Sequence, residues 1–324
     1  MAKIAWHKRD SAWKQTLGCR LEAAVAWLFF AAVRLLPAAR ASAFGRRLFG
    51  WAGPRSAKHR KVLDNLSIVL CAASEEELRA AGRQVWENFG AVVAEFPHLD
   101  TITDRDCRDP AIEIVCKNQD PDFLAHKKPC IFVAAHVGSW ELSAFVIGQM
   151  GYPVDVIYSP LANPYLEDMI QRMRAPLGCG FIPKANAFRS AYKTLKKGRS
   201  VGLHVDVRVD SGREAPFFGV KAPTTELPMW LSRKTGCPIV PIRTERLGDA
   251  RFRTTIFPTL PPPPAGVDEE EAMLRQCMEM NRVISGFIAD KPGQWWCGKR
   301  RWTKAVIADF RKQQKAPSPH DHGQ

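Results

Sequence analysis

The stretch PCIFVAAHVGSWELSAFVIGQM, from Pro129 to Met150, decides how the chain folds. Pro129 to Ala135 is a short, continuous apolar run, the mark of a strand covered on both faces. The period then changes, and SWELSAFVIGQM predicts a helix ending at Gly151. Working outward, the alternation continues. VDVIYS (154–159) precedes PYLEDMIQRMRAPLG (164–178), GFIPK (180–184) precedes AFRSAYKTLKKG (187–198), and SVGLHVD (200–206) adds a strand. MWLSRKTG (229–236) and CPIVPIRTERL (237–247) repeat helix and strand, FRTTIFPTL (252–260) is a further strand, and Asp268 to Ile288 a terminal helix. Upstream, Ser74 and Glu77 form a capping box opening the amphipathic segment SEEELRAAGRQVWENFGAVVAEF (74–96). This order predicts an α/β fold, a mostly parallel or mixed sheet flanked by helices. No internal repeat interrupts it.

The bulk numbers bound the partners. With 324 residues, 46% of them hydrophobic, and a mean hydropathy of -0.22, the chain reads as globular and not as a multi-span membrane protein. Its 47 Lys and Arg against 33 Asp and Glu give a net charge of +14. Such a charge attracts nucleic acid, an anionic membrane or an acidic protein. The basic residues are interleaved with Trp, Phe and Leu, and no zinc-finger spacing or basic arm occurs, so a bilayer surface fits better than nucleic acid. Nine cysteines, none in CxxC spacing, read as reduced thiols and argue against a zinc site.

LGCRLEAAVAWLFFAAVRLLP (17–37) predicts an apolar N-terminal helix. Its unbroken core, Ala23 to Val33, is short for a span of roughly 20 residues. An uncleaved anchor, a secretory signal cut near the small residues Ala41 to Ala43, and an amphipathic core helix are the three readings. Lys and Arg flank both ends, so charge does not separate a spanning from an in-plane helix.

The candidate chemistry lies at the end of the strand that opens this section. His136 stands at the strand's carboxyl end, where open α/β sheets bind ligands, and Glu141 stands in the first turns of the next helix. An alcohol needs a base to become a nucleophile near neutral pH, and an imidazole serves if a carboxylate holds its other nitrogen. Glu141 is the expected carboxylate. Gly138 is expected to leave the backbone open to a substrate, and N–H groups at the helix start to face an oxyanion. No GxSxG elbow appears, which argues against a hydrolase. A core histidine capping a helix would show the same spacing.

The order of blocks around His136 resembles that of the lipid A late acyltransferases, the lauroyl/myristoyl enzymes of the lysophospholipid acyltransferase-like superfamily. The likeness runs from the apolar N-terminal segment to Trp302. HVGSWEL looks like the family's H-x4-D/E dyad, His136 with Glu141. NPYLEDMIQRMRAPLG places Asn163, Arg174 and Gly178; HVDVRVDSG places Asp206; PFFGVKAPTT places Phe218, Gly219 and Thr224; and QWWCGKRRW resembles the C-terminal block. Two positions depart from the family: Val207 stands where glutamine is usual, and Lys299 where histidine is usual.

The resemblance implies an O-acyltransferase with an acyl-carrier-protein thioester as donor and a Kdo-bearing lipid A precursor as acceptor. It implies no metal or organic cofactor, and a place on the bacterial inner membrane facing the cytoplasm. The departures leave a lysophospholipid or another glycolipid as alternative acceptors, and a non-enzymatic binder of anionic lipids is the reading from another class. Trp295, Trp296 and Trp302, among Lys299, Arg300 and Arg301, suit an interfacial belt or a substrate grip. The domains expected are a basic segment and anchor over 1–45, a catalytic domain over 46–311 and a polar tail over 312–324.

Overall fold

The computed structural model describes residues 2–315 other than 105, 107–109 and 264–265. Five helices lead: α1 (Ala2–Arg34), α2 (Ala38–Ala52), α3 (His59–Val69), α4 (Glu75–Glu95) and α5 (Leu99–Ile102). Then come β1 (Ile112–Cys116), α6 (Pro121–His126), β2 (Ile131–Ala134), α7 (Leu142–Gln149), β3 (Val154–Tyr158), α8 (Pro164–Met173) and β4 (Gly180–Pro183). The chain continues through α9 (Ala187–Lys196), β5 (Ser200–His204), β6 (Arg213–Phe217), β7 (Val220–Thr224) and α10 (Leu227–Thr235). It closes with β8 (Ile239–Gly248), β9 (Arg251–Ile256), α11 (Glu269–Asp290) and α12 (Lys304–Lys315).

The expected α/β class holds. Seven strands form one sheet in the order β1-β9-β8-β2-β5-β3-β4, parallel except for the β8–β9 hairpin. β2 is central and its four residues are all buried. Its side chains alternate between two cores: Ile131 and Val133 pack with α3, α4 and α11, while Phe132 and Ala134 pack with α7. That two-sided burial explains a strand with no polar face. A separate hairpin, β6–β7, packs beneath α11.

Helix starts follow the local chemistry. The capping box is present, with Ser74 accepting from the Glu77 N–H and the Glu77 carboxylate accepting from the Ser74 N–H at 2.8 Å. The Asp268 side chain caps α11 by accepting from the Glu271 N–H at 2.8 Å. The boundary expected at residue 45 falls inside α2, a helix the sequence reading passed over. There a Cβ on Gly45 would lie 2.2 Å from the Gly90 oxygen, and one on Gly90 equally close to Gly45, so only glycines let α2 and α4 cross this tightly. α12 also runs to Lys315, into the span expected to be a polar tail; residues 316–324 of that tail lie outside the described residues.

α1 lies lengthwise against the domain. Ala23, Phe30 and Val33 turn inward, Asn163 Nδ2 donates to the Cys19 carbonyl at 2.8 Å, and Arg34 holds Asp100 at 2.7 Å. From Cys19 to Arg34 is about 22 Å at 1.5 Å per residue. The opposite side carries exposed Leu17, Leu21, Val25 and Leu28.

Candidate active site

β2 and β5 run parallel, with Ala134 beside His204, so the loops leaving them share one sheet edge. His136 lies two residues beyond β2 and Asp206 two beyond β5. Asp206 binds His136 twice: Oδ1 meets Nδ1 at 2.8 Å and Oδ2 accepts from the His136 backbone N–H at 3.0 Å. Trp295 Nε1–H donates to the same Oδ2 at 2.8 Å. The Asp206 side chain is 1% exposed, that of His136 24%. A carboxylate on Nδ1 fixes the proton there and leaves the Nε2 lone pair as the base.

The charges support one another. Burial pushes the His136 pKa down, but the charge and hydrogen bond of Asp206 outweigh it and hold the ring above 6.5. Burial pushes Asp206 up, and the His136 charge and hydrogen bonds more than reverse that, holding it well below the usual carboxylate range.

The expected partner of His136 is therefore corrected. Glu141 stands at the N-cap of α7, and its carboxylate is taken by Arg174, with Nε to Oε2 at 2.9 Å and Nη2 to Oε1 at 2.6 Å. Both side chains are nearly buried, and the guanidinium lies against Phe96, Tyr158 and Phe181. The Glu141 charge still reaches His136 and favours its protonated form.

Gly138 is corrected too. Its φ is +60°, and a Cβ there would sit 2.2 Å from the Thr244 oxygen, so it is a packing glycine against β8. Its N–H donates to the Gln294 carbonyl at 3.1 Å and its carbonyl accepts from Asn88 Nδ2 at 3.0 Å. The Val137 N–H is likewise taken, by Ala135. The N–H groups of residues 136 to 138 are all engaged, whereas those at the helix start, Ser139 to Glu141, the ones expected to face an oxyanion, make no hydrogen bond among the described residues.

The remaining predicted residues have partners of their own. Asn163 caps α8 and binds Cys19 and Glu22 of α1. Phe218 and Gly219, at φ +52° and +73°, make the tight turn joining β6 to β7. Thr224 is fully buried, its hydroxyl accepting from Asn281 and Arg301.

The tryptophan belt is overturned. Trp295 and Trp302 are among the most buried side chains, and Trp296 stacks on Phe89 with centroids 3.7 Å apart. The segment pairs with the loop that carries His136, since the Trp296 N–H donates to the His136 carbonyl at 2.8 Å. Arg301 is buried as well, and burial pulls its pKa down to about 10. Lys299 alone of the basic triplet is exposed, close enough for its charge to oppose protonation of His136.

Sequence reasoning missed Asn88, Gln294 and His204. His204 had a readable signal: a histidine ending a buried strand that leads, two residues on, to Asp206.

The family model of the bacterial lipid A biosynthesis acyltransferases matches residues 16–304. The chain belongs to that family. It is an acyltransferase, as the order of its blocks implied. No curated protein sequence matches it. Among solved structures, the 1-acyl-sn-glycerophosphate (LPA) acyltransferase PlsC from Thermotoga maritima is similar at 14% identity and a TM-score of 0.34. That match covers 72% of this acyltransferase and 99% of PlsC.

Proposed function

We propose that this acyltransferase moves a fatty acyl chain from an acyl-carrier-protein thioester to a hydroxyl of a lipid A precursor, with His136 as general base and Asp206 as its partner. The observation that carries the reading is the Asp206 carboxylate on His136 Nδ1, which leaves Nε2, with no hydrogen bond among the described residues, at a partly exposed sheet edge. The acceptor O–H gives its proton to Nε2 as its oxygen attacks the thioester carbonyl. The tetrahedral intermediate collapses, the C–S bond breaks, and Nε2–H returns the proton to the departing sulfur. Asp206 stabilises the imidazolium between those steps. An ester and a free thiol result, with no enzyme-bound acyl group.

Glu141 acts through Arg174, holding the guanidinium flat against its aromatic neighbours near the base. Gly138, packed on β8, holds the loop that carries His136. Lys299, exposed beside the base, suits an acidic donor protein or a phosphorylated acceptor, and the charge of +14 adds a general attraction.

α1 seats the domain on the cytoplasmic face of the inner membrane, lying in the plane. The helix bears one apolar segment, Thr16–Arg34. One stripe of that segment is bound along roughly 22 Å of protein surface, which favours an in-plane helix over a separate span. Its outward stripe continues through Leu35 and Leu36 to Phe44 and Trp51 of α2. Ser42, buried on Glu95, argues that this region stays attached after export sorting.

The test is mass spectrometry of total lipids from cells carrying wild-type protein, His136→Ala, or neither. One acyl chain should be present on the lipid A precursor with wild type only. An unchanged lipid A with loss of acyl chains from phospholipids would transfer the activity to the lysophospholipid reading.

A further inference from the structure

The mechanism above names no side-chain donor for the oxyanion. As the acceptor attacks, the thioester carbonyl oxygen gains charge, and donors aimed at that oxygen usually supply the largest single part of the acceleration. The N–H groups of His136, Val137 and Gly138 are committed to Asp206, Ala135 and Gln294. The Arg174 fork is occupied by Glu141.

A second imidazole stands at this edge. The His204 ring stacks on His136 with centroids 4.2 Å apart and planes 29° apart. It is partly exposed, and neither of its ring nitrogens has a hydrogen bond among the described residues; of the two, Nε2 is fully buried. A buried N–H without a partner is rarer and costlier than a buried acceptor, which places the proton on Nδ1, the nitrogen with access. We propose that His204 is a second catalytic histidine, its Nδ1–H donating to the thioester carbonyl oxygen as that oxygen becomes the oxyanion beside His136.

The ring is suited to the task at any working pH. Burial, and then the neighbouring charge of His136, push its pKa down to about 3, so it stays neutral and keeps one N–H. A neutral donor does not compete with His136 for the acceptor's proton. The two stacked rings would divide the work, His136 handling the proton and His204 the carbonyl oxygen, in a step that transfers no atom to His204.

The proposal rests on the acyl-transfer reading, and the experiment separates the two. The substrates are a fatty acyl-carrier-protein thioester and a Kdo-bearing lipid A precursor, with product quantified by mass spectrometry. His204→Phe preserves a ring for stacking and removes the donor. It should lower kcat by about 100-fold with KM within about twofold, the signature of an interaction made only in the transition state. An asparagine amide reaches the position of Nδ1, whereas a glutamine amide reaches that of Nε2. His204→Asn should therefore recover at least about tenfold over His204→Phe, and His204→Gln should not.

A His204→Phe enzyme with more than half the wild-type kcat would overturn the proposal, as would a loss confined to KM. If the Phe variant does not fold, equal kcat for the Asn and Gln variants overturns it. Activity surviving in His136→Ala would instead overturn the acyl-transfer mechanism itself.

Discussion

Replacing Asp206 with asparagine separates the two carboxylates that compete for the role of partner to His136. Oδ2 of Asp206 accepts from two fixed donors, the His136 backbone N–H at 3.0 Å and Trp295 Nε1–H at 2.8 Å. An asparagine must keep its oxygen there, because an NH2 facing two donors would leave all three unpaired in a side chain that is 1% exposed. The amide NH2 then occupies the Oδ1 position, 2.8 Å from His136 Nδ1 in the native site. Nδ1 must become the acceptor, the proton moves to Nε2, and the base loses the lone pair it uses.

A wrong-tautomer substitution of this kind costs on the order of 10⁴ in kcat in a serine protease triad. That corresponds to about 5 kcal/mol in the barrier. Asp206→Asn should therefore lose about 10⁴-fold in single-turnover transfer while its folded structure persists. Glu141→Gln keeps an acceptor for Arg174 and should be milder. The titration sign follows from the charge. Asp206 holds His136 above 6.5, so the wild-type rate should fall on the acid side through a pKa above that value. In Asp206→Asn the His136 ring, followed by NMR, should titrate lower. More than about a tenth of activity left in Asp206→Asn, beside a dead Glu141→Gln, would refute the assignment and restore Glu141 as the partner.

Gly138→Ala should destabilise the fold by about 1–3 kcal/mol through overpacking against Thr244, with about 1 kcal/mol more for its positive φ, read as a lower urea midpoint. Arg246 and Glu95 are 5% and 2% exposed and paired, so Arg246→Met or Glu95→Met alone should cost about 3–5 kcal/mol in urea unfolding. The double Met variant should cost less than either single one, because no buried charge is left over; a simple sum of the two would contradict this. On the membrane face, Leu21→Glu with Leu28→Glu should abolish liposome co-sedimentation while leaving the thermal unfolding midpoint within a few degrees. Unchanged binding would place the membrane contact elsewhere.

The residues alone determined the α/β layering, because strand and helix differ in hydrophobic period and that period is written locally. The capping box of Ser74 and Glu77 and the position of His136 at a strand end were legible for the same reason. Glu141 looked like the partner of His136 because only four residues separate them, yet the turn into α7 sends its carboxylate to Arg174. Asp206 is 70 positions away. Parallel pairing of β2 with β5 carries it to the same edge, and no local pattern encodes which carboxylate arrives there. The C-terminal block misled in the same way. Trp and Arg side chains read as surface groups by composition, but Trp295 closes over Asp206, and Arg301 is buried with its guanidinium on the Pro223 carbonyl and Thr224 hydroxyl. Burial is a property of the assembled layers, so which polar residues lie inside, and which of them meet, was decided only by the tertiary structure.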